Sequence, residues 1–250
     1  MPRLSLIFFV LVSALCAVDD DPRIRKILDK HVEALGGWRN WNQVESIRLI
    51  GTIERGGQII DFVIVKKRPN QIRATITMPI PGNENEEVQI IRAHDGENAW
   101  TATRLTGAAE IKKEKLDQEA ASKLLQDAGV LPKLILFWKT GAELSIRETT
   151  KLDGEPVTII EAKPRDDSSI YTFYISLNTY KTLQYRQEIE EGVSIDTIFD
   201  DYEEKQGVLI PRSVIINTEQ TGRSKMLIKS IEVGVGIYRE YFDGSDLMKQ

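Results

Sequence analysis

The residues of this chain that could do chemistry are few. There are two histidines, His31 and His94, and a single cysteine, Cys16. A hydrolytic triad needs a histidine base beside a nucleophile, and no Gly-x-Ser-x-Gly elbow is present to supply one. His31 falls on an apolar helical stripe, where a core histidine bonded to a backbone carbonyl is the expectation. His94 precedes Asp95-Gly96-Glu97-Asn98, which is the pattern of an Asx turn with a solvated histidine. A zinc site would need a third and fourth ligand at suitable spacing, and none is nearby. Gly234-Val235-Gly236 lacks the third glycine and the following helix of a dinucleotide fingerprint. Glu188, Glu190, Glu191, Asp196, Asp200 and Asp201 lie close in sequence, and glycosidases do use paired carboxylates. On alternating strands, however, such acids are expected to form a solvated face. These residues predict no enzyme, no metal and no cofactor.

What the chain has in quantity is apolar patterning. It has 250 residues, 41% of them hydrophobic and 28% charged, with a net charge of −5. That describes a folded globular protein. Clustered Lys and Arg for phosphate contacts are absent, so nucleic acid is not an expected partner. Arg3 followed by an apolar run over residues 4–15 and small residues before Asp19 is the pattern of a secretory signal peptide. The expected cut follows Ala17, leaving an exported, periplasmic domain over 18–250. Lipidation of Cys16 is the alternative, although Leu15 stands where a lipobox takes a small residue. No later stretch approaches the roughly 20 apolar residues of a membrane span.

Along the mature chain, Asp21 and Pro22 signal a helix start as N-cap and first helical residue. Gly36-Gly37 signals its end, and residues 38–42 read as a connector. From Ser46 the period becomes two. Hairpin turns are expected at Arg55-Gly56-Gly57-Gln58 and at Leu152-Asp153-Gly154-Glu155, where glycine supplies positive φ. A tight turn is expected at Glu191-Gly192. Residues 79–85, with two prolines that lack a ladder donor, read as a long mobile loop. Residues 105–110 read as a connector, and the last residues as frayed.

The one interruption is a helical insert over about 111–140. Its first part, 112–126, carries charges on one side and Leu116, Ala120, Leu124 and Leu125 on the other. Its second part is the apolar run Leu131-Pro132-Lys133-Leu134-Ile135-Leu136-Phe137-Trp138. About 11–12 strands with short turns must be antiparallel neighbours in one large sheet, which curls at that size. The expected fold is mainly β: a single curved, unclosed antiparallel barrel whose concave apolar face is covered by the N-terminal helix and the insert.

The order of several motifs resembles the LolA/LolB-like superfamily of exported proteins. They are His31-Val32-Glu33-Ala34-Leu35-Gly36-Gly37, Lys67-Arg68-Pro69-Asn70-Gln71 and Asp95-Gly96-Glu97-Asn98-Ala99-Trp100. Later come Leu152-Asp153-Gly154-Glu155-Pro156, Tyr174-Ile175-Ser176-Leu177-Asn178 and Asp200-Asp201-Tyr202. The resemblance covers residues 23–242. It implies an unclosed barrel with a helical lid over a hydrophobic cavity that takes acyl chains of lipoproteins or other lipids, without catalysis. Alternation and aromatic placement put Ile47, Leu49, Phe62, Ile64, Trp100, Phe173 and Phe199 on the sheet side of that cavity. Leu134, Phe137 and Trp138 are placed on the lid side. The expected protein is a monomer that binds a lipid-like ligand. The alternative is an envelope interaction module with a filled core and a protein partner.

Overall fold

A computed structural model describes residues 21–80, 82–105, 111–165, 167–190 and 192–249. The expected signal peptide (1–17), Cys16, residues 106–110 of the connector, Pro81 and Glu191 lie outside the described residues.

Helix α1 (Pro22–Ala34) starts as the sequence dictates. The Asp21 carboxylate accepts the Arg23 backbone N–H at 2.9 Å, and Pro22 occupies the first turn. Ile24, Leu28, His31 and Val32 form its buried stripe. Gly36 then takes φ +113, and a Cβ there would lie 2.0 Å from the Gly207 carbonyl oxygen. Only glycine permits this approach of helix end to sheet. The same residue caps the next helix, so the expected connector 38–42 is instead α2 (Gly37–Gln43). Trp41 is buried in it and donates its indole N–H to the Leu35 carbonyl at 2.9 Å.

Among the described residues, thirteen strands form one antiparallel sheet. Before the insert come β1 (Ser46–Arg55), β2 (Gln58–Lys67), β3 (Gln71–Ile80), β4 (Asn83–His94), β5 (Ala99–Leu105) and β6 (Lys112–Lys115). After it come β7 (Glu143–Leu152), β8 (Glu155–Lys163), β9 (Ile170–Ser176), β10 (Thr182–Glu190), β11 (Val193–Lys205), β12 (Val208–Thr218) and β13 (Gly222–Val233). The spatial order runs from β6 back to β1, across to β13, and back to β7. The first and last strands therefore pair in the middle, with Ile47 opposite Val233 and Leu49 opposite Ile231. The two edges, β6 and β7, do not pair, so the barrel is unclosed.

Three expectations are corrected here. The count is thirteen because Lys112–Lys115, expected as helix, pairs with β5 as an edge strand. Its lysines suit an edge, where charge discourages further pairing. The helical insert is accordingly α3 (Gln118–Gln126) and α4 (Lys133–Lys139). The proline-rich stretch is not a loop: β3 runs to Ile80 and β4 starts at Asn83. Pairing of β3 with β2 ends at Thr77, so Pro79 has a strand neighbour on the β4 side alone, as suits a proline near the end of a strand. Finally, the C-terminus is packed. Helix α5 (Glu240–Asp243) and a 3-10 turn (Ser245–Lys249) lie against the sheet, with Phe242 and Leu247 buried.

The insert joins the two sheet edges and crosses the inner face to do so. There Val32, Leu35, Trp41, Ile47, Phe62, Val130, Leu131, Ile135 and Ile231 belong to one buried cluster. Ile24, Leu28, Leu134, Ile160, Tyr171, Phe173 and Ile175 belong to a second. A third cluster, Ile91, Ala93, Trp100, Ala102 and Leu247, lies on the outer face under the C-terminal turn.

His31 is fully buried, and its Nδ1 pairs with the Tyr180 carbonyl at 2.6 Å, as expected for a core histidine. Burial pulls its pKa from 6.5 down to about 4, against the opposing pull of the Tyr180 bond. Below pH 6.5 the unfolded chain gains a proton that the folded chain refuses, so stability falls as pH drops toward 4. The expected loss from this group is about 2–3 kcal/mol by pH 4.5. Urea unfolding at pH 7 and 4.5 checks it: the wild type should lose more stability than His31→Gln.

Candidate functional site

The site is built on aromatic alternation along β9 and β10. Tyr171, Phe173 and Ile175 sit two residues apart on the inner face, and Tyr185 of β10 stands opposite Phe173. Phe173 and Tyr185 have ring centroids 5.4 Å apart, and Tyr185 and Phe199 5.7 Å. The row thus continues onto β11. Helix α4 lies over it. Pro132 starts this helix, fixing the entry angle after α3, and Leu134 and Ile135 are its buried residues. Phe137 meets Tyr171 edge-on at 4.7 Å and Phe173 at 6.1 Å. Trp138 packs against both inner clusters and reaches Trp38 at 5.7 Å.

Two spaces flank α4. On one side, a cleft of about 250 Å³ is lined by Leu125, Leu136, Phe137 and Tyr171, with Asn70, Gln126, Lys133, Arg165 and Asp167 at polar positions. On the other, a pocket of about 70 Å³ is lined by Leu35, Leu134, Phe173, Tyr185, Phe199, Tyr202, Leu209 and Pro211. Phe137 faces the first and Phe173 the second, so their edge-to-face contact stands between them. Lys133 borders both. The pocket holds about two water volumes, and the cleft falls below the 300–1,000 Å³ typical of ligand sites.

The polar fittings are positioned from within. Asp167 accepts the Tyr171 hydroxyl at 2.7 Å and the Ser169 backbone N–H at 2.8 Å. Burial disfavours its charge, but these bonds outweigh burial and hold its pKa below the usual range. Burial, then the Asp167 bond, raises the Tyr171 phenol. Tyr202 donates to the Thr182 carbonyl at 2.7 Å, and burial raises its pKa too.

Of the expected cavity residues, Leu134, Phe173 and Phe199 line the small pocket, Phe137 lines the cleft, and Trp138 bridges the two inner clusters. Ile47, Leu49, Phe62 and Ile64 share the inner face but pack in the first cluster and border neither space. Trp100 is elsewhere. It pairs with Ala93, which pairs with Arg73, opposite Val65: all four belong to the outer face. Its indole N–H donates to the Phe242 carbonyl at 2.7 Å, beneath the C-terminal helix. Alternation could have added Tyr171, two residues from Phe173 on the same face. Nothing in the sequence marks Lys133.

Both histidines bond to backbone groups. His94 is buried, not solvated: the Gly96 N–H donates to its Nδ1 at 3.0 Å. Asp95 makes the expected Asx turn to Glu97 and Asn98. Among the described residues, no three His, Cys, Asp or Glu side chains are grouped to hold a metal ion. None of the described helices is long and apolar enough to cross a membrane.

The chain matches no protein-family model and no curated protein sequence. Three solved structures share its architecture. A domain provisionally assigned to outer membrane lipoprotein sorting in Vibrio parahaemolyticus aligns with TM-score 0.52 at 12% identity, over 89% of this chain and 97% of that one. A LolA superfamily protein of Nitrosomonas europaea aligns with TM-score 0.56 at 10% identity, over 87% and 96%. The fold is LolA-like. A DUF1329 family protein from Desulfovibrio piger aligns with TM-score 0.56 at 13% identity, over 90% and 98%. At these identities the likeness concerns the fold alone. In this LolA-like frame the inner face carries the aromatic row, and α4 is the short element laid across it.

Proposed function

We propose that this protein is a non-catalytic, exported binding or carrier protein for a lipid-like ligand. The ligand's acyl chain lies between the inner sheet face and α4, in the periplasm, and residues 18–250 act as one domain. The observation that carries this reading is that a seven-residue helix separates a small apolar pocket from a cleft of mixed lining over a continuous aromatic row. Displacing Phe137 from Phe173 would join the spaces into one channel. Each methylene buried there contributes about 0.8 kcal/mol, enough over a chain of ordinary length to offset the lid contacts given up.

A second reading has its own support. Leu134 and Ile135 are at most 1% exposed, and the pocket beneath α4 is small. A filled core of this kind suits an interaction module with an envelope protein partner.

Native mass spectrometry of residues 18–250, purified without detergent from an exporting host, separates the two. The expected result is a co-purifying lipid of defined mass, released by solvent extraction. A chain that stays ligand-free after incubation with fatty acids and phospholipids would reject the carrier reading in favour of the module.

A further inference from the structure

Among the described residues about the start of α4, three cations, Lys66, Lys133 and Arg165, meet two carboxylates, Asp127 and Asp167. Lys66 on β2 stands between Ile47 and Ile72 on the neighbouring strands. Its Nζ donates to one acceptor, the Gly129 carbonyl, at a long 3.4 Å. Burial lowers its pKa, Asp127 opposes that shift, and Lys133 adds to it. Lys133, the first residue of α4, extends over the rings of Tyr171 and Tyr185 at 5.3 and 5.6 Å. Its Nζ lies 3.3 Å from Asp127, whose side chain is 63% exposed while that of Lys133 is 19% exposed.

Asp127, largely solvated, faces both lysines, and Asp167, already bonded to Ser169 and Tyr171, also acts on Lys133, whose charged form is favoured against burial. Arg165 borders the same cleft and has no carboxylate partner among the described residues. An ammonium withdrawn from water is costly unless it is paired and hydrogen-bonded. Here the missing partner would sit at the mouth of an apolar space.

We propose that the ligand is an anionic amphiphile. Its oxyacid head, a carboxylate or phosphate, lies between Lys66 and Lys133, and its acyl chain runs under α4 past Phe137 and Phe173. This rests on the carrier reading and adds to it the chemistry of the head. Charge-assisted hydrogen bonds contribute about 1.5–3 kcal/mol each. One such bond gives a preference of about 10- to 100-fold for an acid over the alcohol of equal chain length.

The test is a calorimetric titration of the full mature chain with dodecanoate, lauroyl lysophosphatidic acid, dodecanol and inorganic phosphate. The wild type should bind both acids at least about tenfold tighter than dodecanol. Lys66→Met, which keeps side-chain length at a residue bordering neither space, should erase that preference and leave dodecanol binding intact, which also shows that the variant folds; Lys133→Met should erase the preference as well. Equal affinity for acid and alcohol would overturn the head assignment and leave the carrier reading standing. Inorganic phosphate binding as tightly as the lysophospholipid would overturn it in favour of a free-anion site. No binding of any amphiphile would overturn both.

Discussion

The double variant Phe137→Asp/Trp138→Asp is expected to lose acyl-chain binding by more than about a hundredfold while its sheet stays folded. Each ring buries apolar surface worth about 1.5–3 kcal/mol against a ligand or core, and two such losses span about 100- to 10,000-fold in affinity. A carboxylate at either place adds repulsion from an apolar chain, since an unpaired charge resists burial. The fold should survive because the seating of α4 depends on Leu134 and Ile135, which are at most 1% exposed, whereas Phe137 and Trp138 are half-buried. The strands pair independently of them. Fluorescence titration with a fatty acid, alongside circular dichroism, reads both properties. A well-folded double variant with wild-type affinity would remove α4 from the site.

Trp100→Ala should do the opposite: lower stability by about 3–5 kcal/mol and leave lipid affinity unchanged. Trp100 is 5% exposed and packs in the outer cluster with Ile91, Ala93, Ala102 and Leu247. Its indole is bonded to Phe242, and its ring lies 5.8 Å from the Arg73 guanidinium. That guanidinium also lies over Tyr241 at 4.2 Å and pairs with Asp246 at 2.7 Å. Removing the indole leaves a cavity and loosens the C-terminal turn from the sheet in one step. Denaturant unfolding measures the first effect, and faster proteolysis after residue 237 measures the second. Weakened lipid binding at full stability would place Trp100 in the site after all.

The contrast between these residues shows where the sequence is readable. Several local signals held. Asp21-Pro22 opened α1, and Asp153-Gly154, with φ 49 and 87, made the hairpin its residue types demand. Alternation put Phe173 and Phe199 on the inner face because the outer face beside them is polar, with Arg186 bonded to Asp196. It failed at Trp100 because the outer face there is also covered, by a segment more than 130 residues away that no period reveals. Val65, Ile91 and Ala93 on that side are as apolar as Ile64 and Phe62 on the other. The all-polar edge strand β6 carries no hydrophobic period at all, and only its pairing with β5 defines it. The cationic excess at Lys66 and Lys133 was equally hidden, since it depends on which carboxylates arrive nearby.

The pairing of β1 with β13 has a consequence for how the chain comes to be made. Synthesis delivers Ser46–Arg55 well before Gly222–Val233. Through that interval β1 can hydrogen-bond to β2 on one flank, but the backbone N–H and C=O groups of its other flank have no strand partner. An apolar strand with an unmet edge invites pairing with another chain. Contacts of such long sequence separation also form slowly. The nascent protein is thus most prone to aggregate before β13 emerges, and a chain truncated ahead of β13 would keep that vulnerable edge for good.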